Sequence, residues 1–144
     1  MVERSNNVSH EDAALSVLVV DGNPVSRDRV REALGAQCVV RFAAGVREAL
    51  AALHAQPPDL VVSEVDLVDG SGLRLCEEIR ATPSLRQLPI MLLTDRASIN
   101  DKVAGFQAGA DDYVVKPVDG RLFQARLRLL DQIKRLEKPD LLGA

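Results

Sequence analysis

The chain has 144 residues, is 47% hydrophobic but only 3% aromatic, and carries a net charge of -3. That suits one globular domain with an aliphatic core and argues against a disordered chain. The lack of a Lys/Arg block argues against nucleic-acid binding by this segment, no apolar run approaches the roughly 20 residues of a membrane span, and no signal-peptide pattern opens the sequence, so a cytoplasmic location is expected.

Residues 1–13 are polar and lack periodicity, so a mobile tail is expected there. Leu15 to Val20 reads as an apolar strand that stops at Asp21-Gly22-Asn23-Pro24. Asn23 is a good helix N-cap and Pro24 suits a first helical position. This helix should run to Leu34 with Val25, Val30, Ala33 and Leu34 facing inward, and Gly35 should stop it. Cys38 to Phe42 reads as a second strand. Val46, Ala49, Leu50 and Leu53 mark a second amphipathic helix, which Pro57-Pro58 ends.

Leu60, Val61 and Val62 form a continuous apolar run, which suits a central strand covered on both faces. It stops at Glu64 and Asp66, and Asp69-Gly70-Ser71-Gly72 reads as a loop. A third helix starts near Gly72 with Leu73, Cys76 and Ile79 inward, and Thr82-Pro83 closes it. Pro89 to Thr94 is the fourth strand. Ser98 can cap a fourth helix with Ile99, Val103 and Phe106 inward, ending at Gly109. Tyr113 to Lys116 is a short fifth strand, followed by Pro117. Asp119 can cap a last helix reaching about Lys138, packed through Leu122, Phe123, Leu127 and Leu130. Residues 14–138 thus form the expected domain, and 139–144 a tail or the start of a linker.

Strands and helices alternate five times, which implies right-handed βαβ units and a parallel sheet with helices on both faces. The two cysteines, Cys38 and Cys76, lack metal-ligand spacing and read as buried apolar residues in a reducing compartment. His10 and His54 lack acidic or Cys companions at ligand spacing and read as surface residues. Asp21, Glu64, Thr94 and Lys116 each stand at the carboxyl end of a strand, the edge where such sheets place their chemistry. Together they predict one pocket holding two acids, a hydroxyl and an ammonium.

The segments VLVVDGNP, PDLVVSEVDLVDGSGL, PIMLLT and GADDYVVKPVD, in that order and spacing, resemble the receiver domain of bacterial two-component response regulators. The resemblance spans roughly Leu15 to Leu136. It implies a flavodoxin-like α/β fold: a doubly wound five-stranded parallel sheet in the order 2-1-3-4-5 with five flanking helices. It also implies a signalling module rather than an enzyme. In that family an acid pair after strand one holds Mg²⁺, an Asp after strand three accepts a phosphoryl group, and a Thr or Ser after strand four and a Lys after strand five bind that group. By the resemblance, Thr94, Tyr113, Lys116 and Pro117 keep the family pattern, and Asp21 keeps the first acid.

Three positions depart from it. Glu64 stands at the phosphoacceptor position, one methylene longer than Asp, and is expected to pair with Lys116 and hydrogen-bond Thr94. Gly22 replaces the second acid of the metal pair, so no cofactor is expected and Mg²⁺ binding should be weak or absent. Asp21 and Asp66 are then the remaining candidate metal ligands. Asp95 follows Thr94, where the family has a small residue, and adds negative charge beside the pocket. The departures suggest a pseudo-receiver that signals by protein contact without phosphorylation. The alternative is a phosphorylatable receiver that uses Asp66 or Asp69 with a non-standard Mg²⁺ site. A third reading, a flavodoxin-like ligand binder, lacks a Gly-rich phosphate loop after strand one.

Partners are expected on the face of helix four, strand five and helix five. Leu122, Leu129 and Leu136 recur every seven residues with Ile133 between, which leaves a homodimer or a C-terminal output domain open. Arg121, Arg126, Arg128, Lys134 and Arg135 read as a solvated face of that helix.

Overall fold

The computed structural model describes residues 14–136. The expected tails at 1–13 and 139–144, and His10, lie outside the described residues. The chain alternates β1 (Leu15–Val20), α1 (Pro24–Leu34), β2 (Cys38–Ala43), α2 (Val46–Ala55), β3 (Leu60–Ser63), α3 (Gly72–Ala81), β4 (Ile90–Thr94), α4 (Ile99–Ala108), β5 (Asp112–Val115) and α5 (Gly120–Leu136). The expected loop between β3 and α3 contains a small antiparallel ribbon that pairs Asp66 with Ser71 and Leu67 with Gly70.

The five main strands are parallel in the order β2-β1-β3-β4-β5, as expected. Leu60, Val61, Val62 and Ser63 are all buried, because β3 is central and helices cover both its faces. One core layer joins Leu18, Val61, Ile90 and Leu92 to Leu53, Leu75 and Ile79. The other joins Val17, Val19, Leu60, Val62 and Met91 to Val30, Leu34, Phe123 and Leu127. The three expected N-caps are present: Asn23 accepts from Ser26 N, Ser98 from Asp101 N and Asp119 from Leu122 N; Ser71, read as part of a loop, also caps α3 by accepting from Leu73 N.

Several inward assignments need correction. Val25 is 60% exposed, because α1 turns Val30 and Leu34 to the sheet and leaves its first turn at the edge. On α4, Ile99, Val103 and Phe106 are exposed, and the buried residue is Gly105. On α5, Leu122 is exposed with Leu129, Ile133 and Leu136, while Phe123 and Leu127 carry the packing. Cys76 is fully buried and burial pushes its thiol up to about 12, but Cys38 lies on edge strand β2 and is only half-buried. His54 is exposed. Among the described residues, no helix is long and apolar enough to cross a membrane.

Candidate functional site

The parallel ladder runs one residue past several strands and so fixes the pocket residues. Asp21 N donates to Ala43 O, Glu64 N to Val20 O, and Lys116 N to Thr94 O, each at 2.9 Å. Asp21, Glu64, Thr94 and Lys116 therefore meet at one sheet edge, as the strand ends predicted. Asp21 and Thr94 are buried, and Glu64 and Lys116 half-buried.

Lys116 Nζ donates to Glu64 Oε1 at 2.8 Å and to Ser26 Oγ at 2.8 Å, and lies 3.6 Å from Asp21 Oδ2. Ser26 Oγ in turn donates to Asp21 Oδ2. Burial works against the Lys116 charge, but the Glu64 hydrogen bond and charge, then Asp21 and Asp95, outweigh it and hold the ammonium above its ordinary range. Ser26 was not anticipated. Its signal is positional, since the first turn of a helix that follows a strand end faces back over that end.

The expected Glu64–Lys116 pair is present, but the Glu64–Thr94 bond is not. Glu64 Oε2 instead accepts the backbone N–H of Val65 at 2.7 Å and of Asp66 at 3.3 Å. The extra methylene thus folds the carboxylate back onto its own loop. Thr94 Oγ1 accepts Arg96 N at 3.4 Å. Tyr113 is buried, and its hydroxyl donates to Arg96 O at 2.8 Å. Burial, then Asp101, raises its phenol.

The remaining acids serve other partners. Asp66 forms a two-pronged pair with Arg96, Nε–Oδ2 and Nη2–Oδ1 both at 2.9 Å, and this hydrogen bond holds its carboxyl below the ordinary carboxylate range. Asp69 accepts Val46 N at 2.7 Å and Arg47 N at 3.1 Å, and so caps α2 from a distant loop. A Cβ at Gly45 would fall 2.2 Å from Asp69 Oδ1, so this approach requires glycine. Asp95 is exposed at the pocket rim. The Lys116–Pro117 peptide bond is cis, and Pro117 lines the pocket mouth.

The donor set is a poor fit for Mg²⁺. Asp21 Oδ1 accepts Asn23 N at 2.9 Å, its other oxygen holds Ser26, Gly22 brings no carboxylate, and Asp66 faces Arg96. The Lys116 ammonium lies between the two acids that remain. Among the described residues, no group of three or more His, Cys, Asp or Glu is placed to hold a metal.

A family model for the response regulator receiver domain matches residues 17–128. The chain is 45% identical over 101 residues to the transcriptional regulatory protein AfsQ1 of Streptomyces coelicolor, covering 70% of this chain and 44% of that protein. It is 39% identical over 115 residues to the response regulator MprA of Mycolicibacterium vanbaalenii, covering 79% and 49%. The chain thus spans about half the length of these relatives. Among solved structures, a putative response regulator from Chloroflexus aurantiacus superimposes with a TM-score of 0.79 at 33% identity, covering 83% of this chain and 98% of that one. The chain therefore belongs to the response regulator receiver domain family of two-component signalling.

Proposed function

We propose that this receiver domain signals without phosphorylation, through protein contacts set by its internal ionic pocket. One observation carries the reading: Lys116 Nζ, the family's phosphoryl-pairing cation, is engaged by Glu64 Oε1 at 2.8 Å. Glu64 supplies one negative charge where a phosphoryl group supplies nearly two. It stands in for the charge that Lys116 needs, not for the bond to Thr94. The missing second acid at Gly22 and the commitment of both Asp21 oxygens support weak or absent Mg²⁺ binding. Without a divalent cation, charge on a transferring phosphoryl group lacks its usual neutralisation.

Asp66 and Asp69 suit the acceptor role poorly. The first is paired with Arg96 and the second caps α2. The output surface in this reading is α4, β5 and α5, where Ile99, Val103, Phe106, Leu122, Leu129 and Ile133 are exposed. A second copy or an output domain that follows α5 are the partners of this reading. Titration of the labelled domain with Mg²⁺ and then beryllofluoride tests it by amide NMR. The expected result is no saturable shift at Asp21, Glu64, Thr94 or Lys116. Saturable shifts that spread to Tyr113 overturn it.

A further inference from the structure

Arg96, in the loop between β4 and α4, joins three parts of the domain. Its guanidinium holds Asp66 through two prongs at 2.9 Å and approaches Asp101 Oδ1, in the first turn of α4, at 3.7 Å. Its backbone carbonyl accepts the Tyr113 hydroxyl at 2.8 Å, and its N–H lies on Thr94 Oγ1. Asp66 is tied to the pocket through its own N–H on Glu64 Oε2. A continuous path of contacts therefore runs Lys116, Glu64, Asp66, Arg96, Tyr113.

Tyr113 has an inward seat only because α4 makes room. A Cβ at Gly105 would fall 2.8 Å from Tyr113 Cδ2 and 2.9 Å from Leu92 Cδ1. The ring centroid of half-exposed Phe106 lies 6.4 Å from that of Tyr113. The ring can leave toward solvent past Phe106, and its hydroxyl has one anchor, the Arg96 carbonyl. That anchor belongs to a loop, and the Arg96 side chain ties the loop to the β3 side of the pocket.

We propose that the Asp66–Arg96 ion pair is a latch that holds Tyr113 inward and so sets the α4–β5–α5 face in the absence of a phosphoryl group. The proposal rests on the phosphorylation-independent reading and names the element that carries the state. Both partners are about half-exposed, and Asp66 lines the pocket. Solvent ions and a partner's charged side chain therefore reach the pair directly. A phosphoryl switch acts from inside the pocket, whereas this latch opens from outside it. Its two states differ in one ion pair and one hydrogen bond, and a partner that binds Asp66 or Arg96 shifts the balance between them.

Tyr113 is the single tyrosine and the chain has no tryptophan, so intrinsic fluorescence reports on that ring alone. Acrylamide quenching of the whole 144-residue chain tests the latch with no phosphodonor present. Quenching should rise severalfold in Asp66→Asn and in Arg96→Gln while helix content stays constant. It should return toward wild type in the charge-swapped double variant Asp66→Arg/Arg96→Asp. On the unmodified chain, raising salt to about 1 M, where charges are screened within about 3 Å, should increase quenching in the same direction. Equal shielding of Tyr113 in all variants and at all salt concentrations overturns the latch. That outcome is independent of phosphoryl incorporation, so failure of the latch and failure of the phosphorylation-independent reading are separately visible.

Discussion

Lys116 Nζ stands 2.8 Å from Glu64 Oε1, where a receiver of the usual pattern would present an aspartate. The pair joins β5 to β3 across β4, and Ser26 and Asp21 complete its surroundings from α1 and β1. The pocket's cation is thus engaged by the pocket's own side chains.

Replacing Glu64 by Gln removes the charge partner and leaves a half-buried ammonium with Ser26 and Asp21. Loss of a charge-assisted bond of this kind costs about 1–3 kcal/mol. Urea unfolding of Glu64→Gln should show that loss through a lower midpoint at unchanged slope. A variant as stable as wild type would mean that the pair is neutral.

Gly105→Ala should push the Tyr113 ring from its seat, since the new methyl group has no room against Cδ2. The expected cost is about 1–3 kcal/mol, as for other overpacked sites. Tyrosine quenching should increase with it. Loss of stability with Tyr113 still shielded would place the adjustment in Leu92 instead.

Asp69→Ala removes the side-chain cap of α2, whose N-cap residue Gly45 offers no side chain of its own. The expected loss is about 0.5–2 kcal/mol, read by thermal unfolding. This variant should leave Tyr113 quenching unchanged, because Asp69 lies outside the path to Arg96.

Alkaline pH should destabilise the fold. Cys76 has its thiol raised from 9.0 to about 12 by burial, so its neutral form favours the folded state. That contribution is fully present below pH 9.0 and is lost as pH rises toward the folded value, about 4 kcal/mol in all at about 1.4 kcal/mol per unit. Lys116 is also raised and acts in the same direction at higher pH. Melting temperature should therefore fall above pH 9.0, and Cys76→Ala should flatten the curve there.

The sheet was legible because its three central strands are buried on both faces and read as apolar runs, as in Leu60-Val61-Val62. The helix faces were less legible. Periodicity marks a stripe of apolar residues but not which stripe meets the sheet. On α4 the seat of Tyr113 required the smallest residue, Gly105, so Ile99, Val103 and Phe106 were turned outward. The pocket was legible from four strand ends. Its wiring was not, because Glu64 chose backbone donors over Thr94, and because Ser26 and Arg96 lie on a helix and a loop whose orientation only the fold sets. Asp66 and Asp69 showed how close sequence spacing misleads: three residues apart, one serves Arg96 and the other α2.

Incubation of the protein with acetyl phosphate and Mg²⁺, followed by intact-mass measurement under conditions that preserve acyl phosphates, tests the central claim most directly. A domain whose Lys116 is held by Glu64 should show no phosphoryl adduct. A stoichiometric adduct that maps to Glu64, Asp66 or Asp69 would contradict the account.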